Sequence, residues 1–166
     1  QTEIIEIGGV LADGTTLAPA AEFQTFIRPV RHARLTPFCT RLTSITQADV
    51  DGAPGFAAAM QKLGTFLQGA GAMGQFVFCS WGDYDRDQFG RDERRHGTRA
   101  PLGRDHINLK ESFRRRSGDD NKLGVGQALR RVGLRFDGTA HRGIDDARNI
   151  TRLLPYCLGK KPIPAR

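Results

Sequence analysis

Two stretches of the chain hold acidic residues at a spacing that suits a divalent cation: SWGDYDRDQF at 80–89 and HRGIDDARNI at 141–150. The first follows a short apolar run at 75–79 fit for a buried strand, and the second opens a segment of helical periodicity. Acids just past a strand's end, together with acids opening a helix, let distant segments meet at one ion, because hard cations take oxygen ligands. In the second stretch His141 stands five residues before Asp146, with Gly143 between them to let the backbone turn. A histidine hinged in front of a metal-binding helix can reach a water at the metal. With an ordinary pKa of about 6.5 it can take that water's proton near neutral pH.

Each feature has a plainer explanation. Asp145 and Asp146 near a helix start are what capping and the helix dipole favour in any case; the link to His141 and the downstream Asn149 are what set them apart. Asp83, Asp85 and Asp87 have the alternation of a calcium loop, but its sixth position is Gln88 where the turn needs Gly. Its twelfth is Arg94 where a bidentate Glu belongs, so an EF-hand is excluded. The same aspartates after an apolar strand also suit an aspartate-based phosphatase, which stays open as a competitor. Gly69, Gly71 and Gly74 satisfy GxGxxG but follow a helix and precede a strand, the wrong order for cradling a nucleotide. His32, His96 and His106 read as surface or core residues. Trp81 and Tyr84 could stack a base, with core packing as the competing role.

The elements that must position these residues follow from periodicity. Residues 3–12 and 21–28 alternate as two strands of a hairpin around the turn dipeptide Asp13-Gly14. Helical turns are expected at 37–42 and 46–50, and a longer helix at 54–67 with Phe56, Met60, Leu63 and Leu67 on one face. Further helices are expected at 84–95, 108–115, 122–132 and 144–158, the last with Ala147, Ile150, Leu154 and Cys157 inward. Residues 99–105 read as a connection, and the tail 159–166, with two prolines, as frayed. Strands first and helices interleaved later indicate an α/β chain with a mixed sheet.

Composition narrows the partner. The chain has 166 residues and a net charge of +7, and no apolar run reaches the roughly 18–20 residues of a membrane span. Residues 1–80 carry 5 Lys/Arg against 6 Asp/Glu, whereas residues 81–166 carry 20 against 12. Twenty of the 25 cations are arginines, whose forked guanidinium matches phosphate geometry, so a polyanion is the leading partner. Cys39, Cys79 and Cys157 form no CxxC pair, which fits a reducing compartment and a cytoplasmic protein. The chain opens on Gln1 with no initiator Met, so the expectation is that it begins partway through a longer protein.

Several blocks together carry a resemblance. They are EIIEIGGV at 3–10, FIRPV at 26–30, LTPFCTRLTSITQADVDGAPGF at 35–56, SWGDYDRDQF, HINLK at 106–110, LGVGQALRRVGL at 123–134, and HRGIDDARNI. With them the chain resembles the DEDDh 3′-to-5′ exonucleases of the RNase H-like superfamily, in particular the Eri-type branch that includes bacterial KapD-like proteins. The resemblance implies an exonuclease domain over 1–158: an RNase H-like mixed five-stranded sheet flanked by helices, its first, central strand upstream of Gln1. It implies two Mg²⁺ or Mn²⁺ ions, held in part by Asp85 and Asp146, with His141 as the general base. Asp83 and Asp87 are the nearby alternatives to Asp85. The 3′ end of an RNA, with single-stranded DNA as a second substrate, would contact Thr36, Phe38 and Leu42.

One departure stands against the pattern. The family's first motif, Asp-x-Glu on the central strand, has no counterpart in the chain, and Glu3 and Glu6 belong to the pattern of the following strand. Either those acids lie upstream or the chain is a catalytically inactive nucleic-acid-binding relative.

Overall fold

A computed structural model of the chain describes residues 2–164. The chain opens with an antiparallel hairpin, β1 (Glu6–Ala12) and β2 (Pro19–Phe26), in which Glu6 faces Phe26 and Leu11 faces Ala21. The connection is longer than a two-residue turn. Asp13 makes it, its carboxylate accepting from the Thr15 and Thr16 backbone N–H groups at 3.0 and 2.7 Å, while Leu17 takes a left-handed φ of 61°. This is the side-chain-to-backbone bonding that makes Asp a turn residue.

Three helices follow: α1 (Pro37–Thr43), α2 (Gln47–Asp51) and α3 (Phe56–Gly69). Thr36 caps α1 through its hydroxyl, and Thr46 with Asp49 forms a capping box on α2. The expected face of α3 is the buried one. Phe56, Met60, Leu63 and Leu67 are all inside, the first two against Ile7 and Ile27 and the last two against Ala72. Removing such a side chain from water contributes about 1.5–3 kcal/mol each.

The second half holds β3 (Phe78–Ser80), α4 (Tyr84–His96), β4 (His106–Asn108), α5 (Leu109–Ser117), α6 (Val125–Arg131) and α7 (Gly143–Cys157). β3 and β4 pair in parallel, Ser80 opposite Asn108. Leu109, Phe113, Leu129, Leu153 and Cys157 form the core that α5, α6 and α7 share. Among the described residues the strands number four, in two pairs with no ladder between them; the five-stranded sheet expected for the fold had its central strand outside this chain.

Two expectations change. On α7 the buried residues are Ile144, Asn149, Leu153, Leu154 and Cys157, so Asn149 and Leu153 replace Ala147 and Ile150 as the fully inward positions. Asn149 earns that place by hydrogen bonding: its amide donates to the Asp137 and Asp145 carbonyls at 2.7 and 2.8 Å, and its oxygen accepts from Asp137 N–H at 3.1 Å. The tail is tied down rather than frayed over the stretch described. Lys160 and Lys161 donate to the Pro155 carbonyl at 2.8 and 3.0 Å, and Ile163 packs on the core; positions 165 and 166 lie outside the described residues.

Candidate active site

The first acid patch sits where β3 hands over to α4. Asp83 is the N-cap residue of α4, and Asp85 and Asp87 occupy its first turn, where the helix dipole favours negative charge. Arg86 takes up two of the three. It reaches Asp83 at 3.0 Å and Asp87 at 2.8 Å, both pairs about half exposed. Asp83 also accepts from the Asn108 amide at 2.8 Å. Among the described residues no hydrogen bond or ion pair engages the Asp85 carboxylate. Protein packed around it raises its pKa by desolvation, although water still reaches the side chain, and His106 pulls it partly back.

The second patch opens α7. His141 is exposed and holds a left-handed φ of 67°, uncommon for a residue with a Cβ. Asp145 accepts from Thr139 N–H at 2.9 Å and from Arg148 at 3.1 Å. Asp146 is partly buried, and desolvation raises its pKa. The His141 backbone N–H and ring oppose that rise, while the charges of Asp85 and Asp145 add to it. Asp85 thus lies in the first turn of α4 and Asp146 in the first turn of α7, with His141 just before the latter.

A serine hydrolase is ruled out at a neighbouring spot. Ser80 Oγ lies 2.8 Å from His106 Nε2, and His106 Nδ1 lies 3.9 Å from Asp83, a sequence of groups like a catalytic triad. However, the Ser80 hydroxyl donates its one proton to the Gly82 carbonyl at 2.8 Å. His106 Nε2 must then donate to Ser80, the wrong tautomer for a base acting on that oxygen. Burial lowers the His106 pKa, and Arg86 adds to that effect.

The candidate substrate contacts divide. Phe38 is 66% exposed and Leu42 41% exposed, one helical turn apart on α1 behind the Thr36 cap. Tyr84 is 60% exposed, with Arg91 over its ring. Trp81 departs from the others. Its ring packs on Phe113, and its N–H donates to the Leu123 carbonyl at 2.9 Å, so of its two open roles core packing is the one it takes.

With this geometry in view, comparison with known proteins is decisive: the exonuclease family model matches residues 1–154. The chain belongs to the exonuclease family. Its relatives in that family include ERI1 exoribonuclease 3 of Homo sapiens, 31% identical over 157 residues, which cover 92% of this chain and 47% of the relative. The 3′-5′ exonuclease Snipper of Drosophila melanogaster is 30% identical over 172 residues, covering 93% and 60%. The chain thus spans about half the length of the curated relatives it matches. Its fold matches the nuclease domain of 3′hExo, a DEDDh family member solved bound to rAMP. The TM-score is 0.88 at 26% identity, over 99% of this chain and 84% of that one. These findings place the chain among the Eri-type DEDDh exonucleases, with the RNase H-like α/β fold, and set aside the phosphatase.

His106, read as a surface or core residue, is of the second kind: it stands on β4 with its side chain 7% exposed beside Asp83. Glu6, read only as part of a strand pattern, reaches the start of α7. No local signal marks it, because its partners lie 136 and 137 residues away.

Proposed function

We propose that this chain is the catalytic part of a 3′-to-5′ exonuclease that hydrolyses RNA to nucleoside 5′-monophosphates. The observation that carries the reading is the exonuclease family match over residues 1–154; first-turn aspartates on α4 and α7, Asp85 and Asp146, with His141 before the latter, are in keeping with it. Two carboxylates with pKa values raised by desolvation suit a hard divalent cation, Mg²⁺ or Mn²⁺, because the ion offsets that cost. Two donors are too few for such ions, which prefer about six oxygens. Among the described residues no group of three His, Cys, Asp or Glu could hold one. We assign the remaining donors to an Asp-x-Glu on a further strand, one that would also join the two strand pairs into a five-stranded sheet.

A pair of such ions, when bound, polarises the terminal phosphodiester and activates water. Asp146 and Asp85 would hold part of that pair. His141 would accept the proton of the attacking water, a role open to an exposed imidazole. Phe38 and Leu42, with Thr36 and Tyr84, offer the terminal nucleotide a mixed apolar and polar surface. The relatives named exoribonucleases favour RNA as the substrate, with single-stranded DNA the second to try. Three free cysteines fit a reducing, cytoplasmic setting.

In the full-length protein, His141→Ala or Asp146→Ala should lower EDTA-sensitive release of 5′-nucleotides by about 10²–10⁴-fold, with little change in melting temperature. Full activity in either variant would overturn the assignment. The small donor set favours one second reading, a nucleic-acid-binding relative without catalysis. That reading requires binding of RNA without cleavage in Mg²⁺ or Mn²⁺.

A further inference from the structure

Glu6 is a buried carboxylate to which the hydrolytic reading gives no task. It stands at the start of β1 with its side chain 4% exposed. One oxygen accepts from the Gly143 backbone N–H at 2.9 Å and from Arg142 Nε at 3.2 Å. The other accepts from Arg142 Nη2 at 3.3 Å and from the Gln24 amide at 2.7 Å. Arg142 also lies over the Phe26 ring, 5.4 Å from its centre. α7 has no side-chain cap of its own, so Glu6 supplies from the hairpin what a local Ser or Asp normally supplies. Two residues along β1, Gly8 lies directly against the backbone of Gly143 and Ile144. Residues 142–144 are therefore gripped by the hairpin at several points.

His141 is the residue immediately before this grip. Its φ of 67° is one that a residue with a Cβ holds only where its surroundings impose it. Arg142 N–H bonds back to the Thr139 carbonyl at 3.2 Å, which closes the loop on the other side. We propose that Glu6 is a positioning residue for hydrolysis: by fixing the backbone of residues 142 and 143, it sets the direction of the His141 imidazole. The inference rests on the role given to His141 above.

A carboxylate is suited to this task because it offers acceptors on both oxygens to four N–H groups. An amide in its place keeps one acceptor for Gly143 but turns an N–H group towards Arg142 or Gln24. The losses should therefore be graded. In the full-length protein acting on a 5′-labelled RNA, Glu6→Ala should lower kcat about 100-fold and Glu6→Gln about 10-fold. A small misplacement of a reacting group has effects of this size. KM should stay within about 2-fold, because the exposed residues of α1 are untouched.

Single-turnover rates in a His141→Ala background separate positioning from general support of the fold. There Glu6→Ala should add less than about 2-fold, since the side chain it directs is gone. Wild-type kcat in both Glu6 variants would overturn the proposal. So would an equal loss in the two backgrounds, or a change confined to KM. Should Glu6→Ala fail to fold, the near-isosteric Glu6→Gln carries the test alone, and wild-type kcat in it is sufficient to reject the idea. Full activity in His141→Ala itself would instead reject the general-base assignment, leaving the contacts of Glu6 as a feature of the fold.

Discussion

α4 and α7 both open with aspartates and without a capping side chain of their own, yet they are held in different ways. The start of α4 is tied by half-exposed contacts, the ion pairs of Arg86 with Asp83 and Asp87 and the Asn108 amide on Asp83. The start of α7 is tied by contacts that cross most of the chain: Glu6 to residues 142 and 143, and Gly8 against the backbone of residues 143 and 144. The difference is one of tolerance. Exposed pairs add little to stability and yield to substitution, whereas a backbone seated on a backbone has no side chain that can move aside.

The sharpest way to break this contrast is a single methyl group. A Cβ at Gly8 would lie 2.0 Å from the Ile144 nitrogen, while one at Gly9 meets nothing within 4 Å. Gly8→Ala should cost about 3 kcal/mol or more, at the top of the range for overpacking, and Gly9→Ala almost nothing. Urea unfolding of both variants measures the difference, and equal midpoints would show that the α7 joint is not tight.

A smaller effect, of opposite sign, is expected at Asp146. Its pKa in the folded chain is raised above the ordinary 3.8, so the carboxylate is disfavoured by folding. Stability is then greatest below the unfolded pKa and falls as pH rises through the folded one. Asp146→Asn should thus raise the melting temperature at pH 7 while abolishing catalysis, and the gain should fade as the pH is brought below 3.8. Thermal melts across that range test the sign. The smallest effect belongs to α4. Arg86→Ala, which removes two exposed pairs, should leave the melting temperature nearly unchanged, and a large drop would mean that the two helix starts are equally demanding.

What could be read from the sequence follows the same division. The hairpin, the buried face of α3 and the extent of α4 announce themselves through alternation, helical spacing and local charge. Asp85, Asp146 and His141 stand out because the chemistry they suit needs those residue types near helix starts. β4 does not stand out, since three residues after a Pro/Gly connection carry no period, and only its pairing with β3 makes it a strand. Asn149 was missed as an inward residue because a hydrophobic pattern counts it as polar, although its hydrogen bonds are what permit its burial. Trp81 could be read either way until Phe113 and the Leu123 carbonyl were seen to occupy it. Glu6 was invisible because the donors it meets are brought to it only by the finished fold.

The ion pairs on the surface have a consequence for how a polyanion would be held. Arg86, Arg114, Arg115, Arg142 and Arg148 each already face a carboxylate. Arginines neutralised in this way displace few counterions from a nucleic acid, and it is the released counterions that set the slope of log K against log salt. That slope should therefore be much shallower than twenty arginines suggest, and it counts the cations that the fold has left without a partner.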